Sequence, residues 1–399
     1  MPLWFPHIPI EAIVKKDEAK IEVTPTVEAR TRFERRTDKD FTSSANDNKS
    51  EFFSRVRVGA EFKEDGGISG KLEFQGTHDW FWQNSGNGSD ELVGFYQGYV
   101  SIPTGEGSLK IGRQQLNASS KRLQASSNWG NTSRTYDAIR YGQGAFDVYF
   151  AKIGWDATPD SDVRLGGLGY KKGNDQTYIY YKGDDTTGGR VDLWTLHHWS
   201  KYSFGGFDID AEAALQTGRF QGKDQEAWAI HFQADRQIAE KTKFIAELNV
   251  ASGGSSATKN RSFDSLYPST HERYGEIDMT GWQNMEQIRL GIEQEVGENS
   301  VFQASYSRFW LRDSRDGWYR TSLNRINKRP GGSFIDPTGT SGRTLGDELD
   351  LTFITNPDKN TQYGFSVAFF DPGTFVKNLT SNTTKQYWIS GWVQKKFRF

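Results

Sequence analysis

Apolar and polar side chains alternate with a period of two along most of this chain, most clearly at its end. From Tyr387 to Phe399 one parity holds Tyr387, Ile389, Gly391, Val393, Lys395, Phe397 and Phe399. The other holds Trp388, Ser390, Trp392, Gln394, Lys396 and Arg398. A strand sends these two sets to opposite faces. The same opposition recurs upstream. Ile21, Val23, Val27, Ala29 and Phe33 oppose Glu22, Glu28, Arg30, Arg32 and Glu34; Val56, Val58, Ala60 and Phe62 oppose Arg55, Arg57 and Glu61. Phe207, Ile209, Ala211, Ala213 and Leu215 oppose Asp208, Asp210 and Glu212. The pattern predicts strands over 20–36, 49–64, 68–81, 91–103, 107–117, 134–143, 145–156, 163–172 and 175–184. It continues over 190–204, 207–220, 225–238, 241–252, 285–297, 300–312, 346–356, 361–371 and 384–399, with no capped helical segment between.

Connection lengths test the same reading independently. Tight turns such as 65–67, 104–106, 173–174, 205–206, 297–299 and 357–360 alternate with long stretches at 37–48, 82–90, 118–133, 253–284, 313–345 and 372–383. Antiparallel strands with short turns at one end and long loops at the other describe an outer-membrane barrel. The expected fold is therefore all-β: a transmembrane up-and-down antiparallel barrel of about 18 strands, with short periplasmic turns and long extracellular loops. Residues 20–399 form that single domain, and 1–19 a periplasmic N-terminal segment. A soluble carbohydrate-binding β-protein is the alternative. It predicts polar outer faces, whereas these strands carry Phe, Tyr, Val, Ile and Leu there, with Trp80, Trp82, Phe397 and Phe399 placed for interfacial girdles.

Composition removes other classes. Among 399 residues there are 42 Gly, 56 aromatics (13 Trp, 16 Tyr, 27 Phe) and no Cys, with a net charge of −2. No apolar run approaches the roughly 18 residues a spanning helix needs. The charge balance argues against a nucleic-acid partner, and lack of Cys excludes disulfides and thiolate metal sites. The N-terminus MPLWFPHIPIEAIVKKDEAK lacks the marks of a secretory signal, so a barrel bound for the bacterial outer membrane is expected to have carried a leader that this chain does not show.

If the apolar faces meet lipid, the opposite faces line a wet channel of mixed charge. Arg30, Arg32, Arg55, Arg57, Lys71 and Arg289 stand against Glu22, Glu28, Glu73, Asp208, Asp210 and Glu212. Charge rings in a narrow passage select ions, and arginine holds carboxylates in a bidentate fork. In 112–141, alternation from Leu109 and Ile111 would put Arg113 in lipid, at a cost of roughly 2–4 kcal/mol at mid-depth. Gly112 permits a bulge that would turn it inward. Arg122, Arg134 and Arg140 follow. Arg134 and Arg140 share a face that Asp137 does not, so Asp137 needs a twist, a bulge or a cross-strand neighbour to form an ion pair.

Several motifs resemble the alginate-export family of outer-membrane porins. They are Gly112-Arg113-Gln114, Arg122-Leu123, Trp129-x-Asn131 and Arg134-Thr135-Tyr136-Asp137-Ala138-Ile139-Arg140. The resemblance continues through Phe263–Thr270, His271, Tyr274, Gly275, Asp278 and Trp282-Gln283-Asn284, then Gly346–Leu351 and the Phe-terminated last strand. It implies an eighteen-stranded barrel passing anionic solutes, with arginines at the constriction. Arg113, Arg134, Asp137 and Arg140 are the residues it places there, and His271, Tyr274 and Asp278 belong to a loop expected to fold inward as a lid. The expected function is passive passage of anionic solutes, acidic uronate-type saccharides such as alginate first and other small organic anions as the alternative. All periplasmic turns are short, so gating falls to the outer loops or to a periplasmic partner.

Enzyme readings fare worse. The pairs Asp208/Asp210, Glu293/Glu295 and Glu348/Asp350 stand at i, i+2, as any polar inner face requires, without the geometry of a glycosidase. His197 and His198 point to opposite faces and cannot share a metal without distortion. No catalytic residue, metal or cofactor is expected.

Overall fold

The computed structural model describes residues 20–38, 40–42, 48–80, 91–155, 163–185, 189–271, 273–321, 326–329, 331–380 and 384–399. The expected segment 1–19, the Trp80 side chain and Trp82 lie outside the described residues. Eighteen long strands form the wall. They are β1 (Ile21–Arg36), β2 (Lys49–Glu64), β3 (Ser69–Trp80), β4 (Glu91–Thr104), β5 (Gly107–Gln114) and β6 (Thr135–Gln143). Next come β7 (Phe146–Trp155), β8 (Arg164–Lys172), β9 (Asp175–Asp184), β10 (Val191–Phe204), β11 (Phe207–Phe220) and β12 (Lys223–Ala239). The last are β13 (Thr242–Ala251), β14 (Met285–Glu295), β15 (Ser300–Leu311), β16 (Thr344–Asp358), β17 (Thr361–Pro372) and β18 (Gln386–Arg398).

Each strand pairs antiparallel with its neighbours in sequence, and β18 returns to β1 from Thr26↔Arg398 to Arg36↔Trp388. The sheet is closed and has no free edge, which a membrane demands because hydrocarbon offers backbone groups no partner. Turns at one end span two to four residues, while the other end carries 115–134, 252–284 and 312–343. A soluble two-layer sandwich is thereby set aside.

Wall faces follow the alternation. Leu215 is 61% exposed, and Val58, Phe365 and Ile139 also face outward, whereas Glu212 and Arg55 point inward and are buried. Leu215→Arg on the outer face is expected to cost about 2–4 kcal/mol, read as a lower urea midpoint in lipid vesicles, with Gln233→Arg on the half-buried inner face the milder control.

The apolar core runs from the lumen, where outer loops fold in, up to the extracellular mouth. At the mouth the Phe41 and Trp318 rings lie 5.7 Å apart, and each packs 5.5–5.8 Å from Phe334 and Phe370. The expected loop 372–383 contains a helix, α1 (Thr374–Thr380), whose Phe375 and Val376 are buried in that cluster. Seven residues are too few for a helical period to show against the strands around it.

Candidate functional site: two loops folded into the lumen

Two long outer connections run back into the barrel. We term residues 115–134 loop A and residues 252–284 loop B. Loop A is fastened at both ends of its crossing. On the β1–β2 wall, Arg30 donates to the carbonyls of Asn128 (2.9 Å) and Trp129 (2.8 Å), and Arg32 also donates to Trp129. Arg55 donates to the Asn128 carbonyl and to Ser133 Oγ, both at 3.0 Å, and Arg57 to Asn128 Oδ1 at 2.9 Å. Glu28 accepts from Arg55 (2.9 Å) and Arg57 (3.2 Å).

Across the lumen, Arg122 enters a pocket built by β11, β12 and β13. It lies 2.8 Å from a His231 ring nitrogen, 3.1 Å from Glu247 and 3.4 Å from Glu212. Glu212 also meets His197 at 2.7 Å, and Arg289 of β14 meets Glu247 at 3.4 Å. In an eighteen-strand cylinder, β1–β2 and β11–β13 stand on opposing sides. Loop A therefore crosses the bore.

Loop B crosses as well. Asp264 meets Lys182 of β9 at 2.7 Å, and the Ile277 amide donates to Glu348 of β16 at 2.9 Å. The loops are joined to each other through main chain. Gln124 and Tyr267 form a parallel bridge, flanked by Ala125 N to Tyr267 O (2.8 Å), Tyr267 N to Leu123 O (2.9 Å) and Ser269 N to Lys121 O (2.9 Å). A side-chain sandwich adds to it: His271 stacks on Trp129 at 3.8 Å and 8°, and the Arg32 guanidinium lies 4.2 Å from the same ring. Both outcomes depend on the wall first offering inward arginines and acids at strand parity.

The expected site residues divide accordingly. Arg55 and Arg57 hold loop A. Lys71 faces the lumen beside Glu73 (2.9 Å), and Arg289 lies below the Arg122 pocket. Arg134 is buried over the Tyr267 ring at 4.9 Å. Arg140 points inward and forms a fork with Asp147 of β7 at 2.7 and 3.0 Å. His271 and Asp278 pair at 2.8 Å within loop B. Tyr274 lies 5.7 Å from the Arg122 guanidinium; burial pushes its phenol well above its ordinary range, so it stays neutral.

Arg113 and Asp137 do not belong to the constriction. Gly112 has φ +121°, yet it keeps Ala138 and Tyr99 as partners with no shift of register. No residue is inserted, so Arg113 stays on the outward face with Ile111. Asp137 stands directly opposite and takes the guanidinium in a fork at 2.8 and 2.9 Å, which removes the need to turn inward. The bulge is one hairpin earlier, between Glu73/Phe74 and β4, where Tyr96 and Gln97 are both buried. The anchors His231, Glu247 and Glu348 escaped the sequence reading as site residues. Inward parity was their one signal, and many wall residues share it.

A sequence profile described as alginate export matches residues 22–390. The chain belongs to the alginate export family. A search of curated proteins finds no match. Among solved structures, OccAB2 of Acinetobacter baumannii aligns with a TM-score of 0.65 at 11% identity, over 94% of this chain and 98% of that one. OccK1 (OpdK) of Pseudomonas aeruginosa aligns at 0.64 and 11%, over 95% and 99%. OprD of the same organism gives 0.61 and 10%, over 94% of each chain. At these identities the likeness shows the fold, an outer-membrane porin barrel. This alginate export family member is thus an outer-membrane channel protein that sits in lipid, and its family and fold are those of channels rather than enzymes.

Proposed function

We propose that the channel passes anionic solutes, and that acidic saccharides of the uronate type are the class its lumen suits best. One observation carries the reading: the arginine block on the β1–β2 wall beside the constriction. Arg30 stands directly opposite Arg55 in the ladder, with Arg32 and Arg57 next to them on the same face. Among the described residues, Glu28 and Glu34 form ion pairs with this block. Four guanidiniums clustered against these carboxylates favour a positive potential on this wall. The carbonyls of loop A take up the donors but not the charge. A fixed positive wall in a narrow wet passage raises the local concentration of anions.

Partly exposed cations, each beside a carboxylate, continue along the open lumen as donors for an anionic solute. The side chains of Lys71, Arg140 and Arg289 are 17%, 25% and 20% accessible. A uronate offers a carboxylate to such forks at each sugar ring, which agrees with the description of the family.

Reversal potentials in planar bilayers test this. A salt gradient is expected to show anion preference in the wild type, reduced in the Arg30→Gln, Arg55→Gln double variant. Oligouronate added to one side should interrupt the wild-type current more often than a neutral oligosaccharide of equal length. Cation preference in the wild type would overturn the reading. Equal block by the neutral sugar would leave a diffusion pore for other small anions.

A further inference from the structure

His231 and His197 stand beside the docked end of loop A, where a single proton alters how Arg122 is held. Their hydrogen positions follow from their partners. Glu247 can only accept, so Asn249 turns its amide nitrogen to that carboxylate (2.9 Å) and to Gln287 (2.8 Å). The Asn249 amide oxygen then faces His231 Nδ1 at 2.8 Å, which puts the ring proton on Nδ1. Nε2 keeps its lone pair and accepts from Arg122 Nη2 at 3.0 Å. His197 is fixed in the same way. Its Nε2 donates to Glu212 at 2.7 Å, and among the described residues its Nδ1 has no hydrogen-bond partner.

A neutral His231 holds Arg122; a protonated one cannot. With hydrogen on both ring nitrogens, Nε2 has no lone pair left, and a second positive charge stands 3.0 Å from the guanidinium. The alternative partner is already in place. Asp210 Oδ1 lies 3.6 Å from the same Nε2, and Asp210 is held there by Trp199 Nε1 at 2.7 Å and by Lys201 at 3.2 Å. An imidazolium exchanges the guanidinium for this carboxylate by a small turn of the ring. Protonation of His197 works in the same sense, because Glu212 then faces a full charge at 2.7 Å and Arg122 at 3.4 Å.

The other groups around the two rings do not reverse this sense. Glu247 lies 3.3 Å from His231 Nδ1 and also meets Arg122 and Arg289, so it attracts an imidazolium as Asp210 does. Loop B covers the pocket with Tyr274, 5.7 Å from the Arg122 guanidinium, and with Arg273, a further cation that donates to the Ser120 carbonyl. Tyr180 of β9 lies over His197 at 5.8 Å. Protons have a way in. The Asp210 side chain is 20% accessible, whereas both histidines, Glu212 and Glu247 are buried, and Asp210 stands three residues from the start of β11 at Phe207.

We propose that acid widens the channel through these histidines: on protonation His231 passes from Arg122 to Asp210, and the far end of loop A leaves the β11–β13 wall. Proton binding and Arg122 docking are antagonistic, each weakening the other by the same factor. Histidine is the side chain that changes charge between about pH 5 and 8. The effect falls on the width of the bore, whichever solute passes.

Single-channel conductance of the full chain in potassium chloride, between about pH 8.5 and about pH 5, tests this. The wild type is expected to rise several-fold on acidification, towards the level of Arg122→Ala, which should itself respond little to pH. The double variant His197→Gln, His231→Gln should stay narrow throughout. Asp210→Asn should widen only at lower pH, because the imidazolium has lost its second partner. Heat-modifiable gel mobility reports folding; should the double variant be wide at every pH, Asp210→Asn decides. A wild type indifferent to pH, a double variant that still widens in acid, or an Asp210→Asn response at the wild-type pH would each overturn the proposal.

Discussion

Arg122→Ala is expected to widen the channel: single-channel conductance rises several-fold and becomes noisier, while the heat-modifiable mobility of the folded barrel is unchanged. The guanidinium sits among Glu212, Glu247 and His231, with all four side chains buried. Removing one member of a buried charge network costs up to about 3–5 kcal/mol, the upper end being relieved here because His197 and Arg289 still contact Glu212 and Glu247. At about 1.4 kcal/mol per tenfold, docking of that end of loop A weakens by up to roughly two to three decades. The barrel itself keeps its ladder, so the effect falls on the bore. Arg122→Lys should be intermediate, since one ammonium cannot serve every partner. Arg113→Ala, on the outer face, should leave conductance alone. Wild-type conductance in Arg122→Ala would mean that the β1–β2 arginines suffice to hold the loop.

Ending the chain after Lys385 is expected to abolish the folded barrel altogether. The truncation deletes β18, which pairs with β17 from Thr361↔Lys395 to Phe370↔Gln386 and with β1 along most of its length. Two strand edges would then face hydrocarbon, where each unsatisfied backbone group costs several kcal/mol. The remaining strands cannot simply re-close. β1 and β17 run in the same direction, so their seam would be parallel and their registers unrelated to the present ones. Loss of heat-modifiable mobility together with loss of the β signature in far-ultraviolet circular dichroism is the outcome to measure.

The wall was legible in the sequence because lipid on one side and water on the other impose a strict period of two. β2, β9, β11 and β17 fall within a residue of the alternating segments, and the tight turns mark the periplasmic end. Expectation and structure part where the chain leaves the wall. The pattern carries β5 on to residue 117, whereas pairing stops at Gln114 and the next residues enter loop A. Alternation cannot report that change of direction, because Leu116 and Ala118 remain apolar and become buried inside the lumen. Arg113 shows the complementary limit. Its parity places it outward, and a bulge at Gly112 is the local way for it to avoid lipid. What the sequence could not display was Asp137 across the ladder. Pairing partners twenty-four residues apart are set by register, and register emerges only when the hairpin closes.

The parallel bridge between Gln124 and Tyr267 has a consequence for redesign. Loops A and B share main-chain hydrogen bonds, so trimming or transplanting either one strips the other of its backbone partners in the middle of the bore. Variants of different width should therefore be built by exchanging both segments as a matched pair. A single-loop chimera should yield a leaky, heterogeneous passage rather than a uniformly larger one.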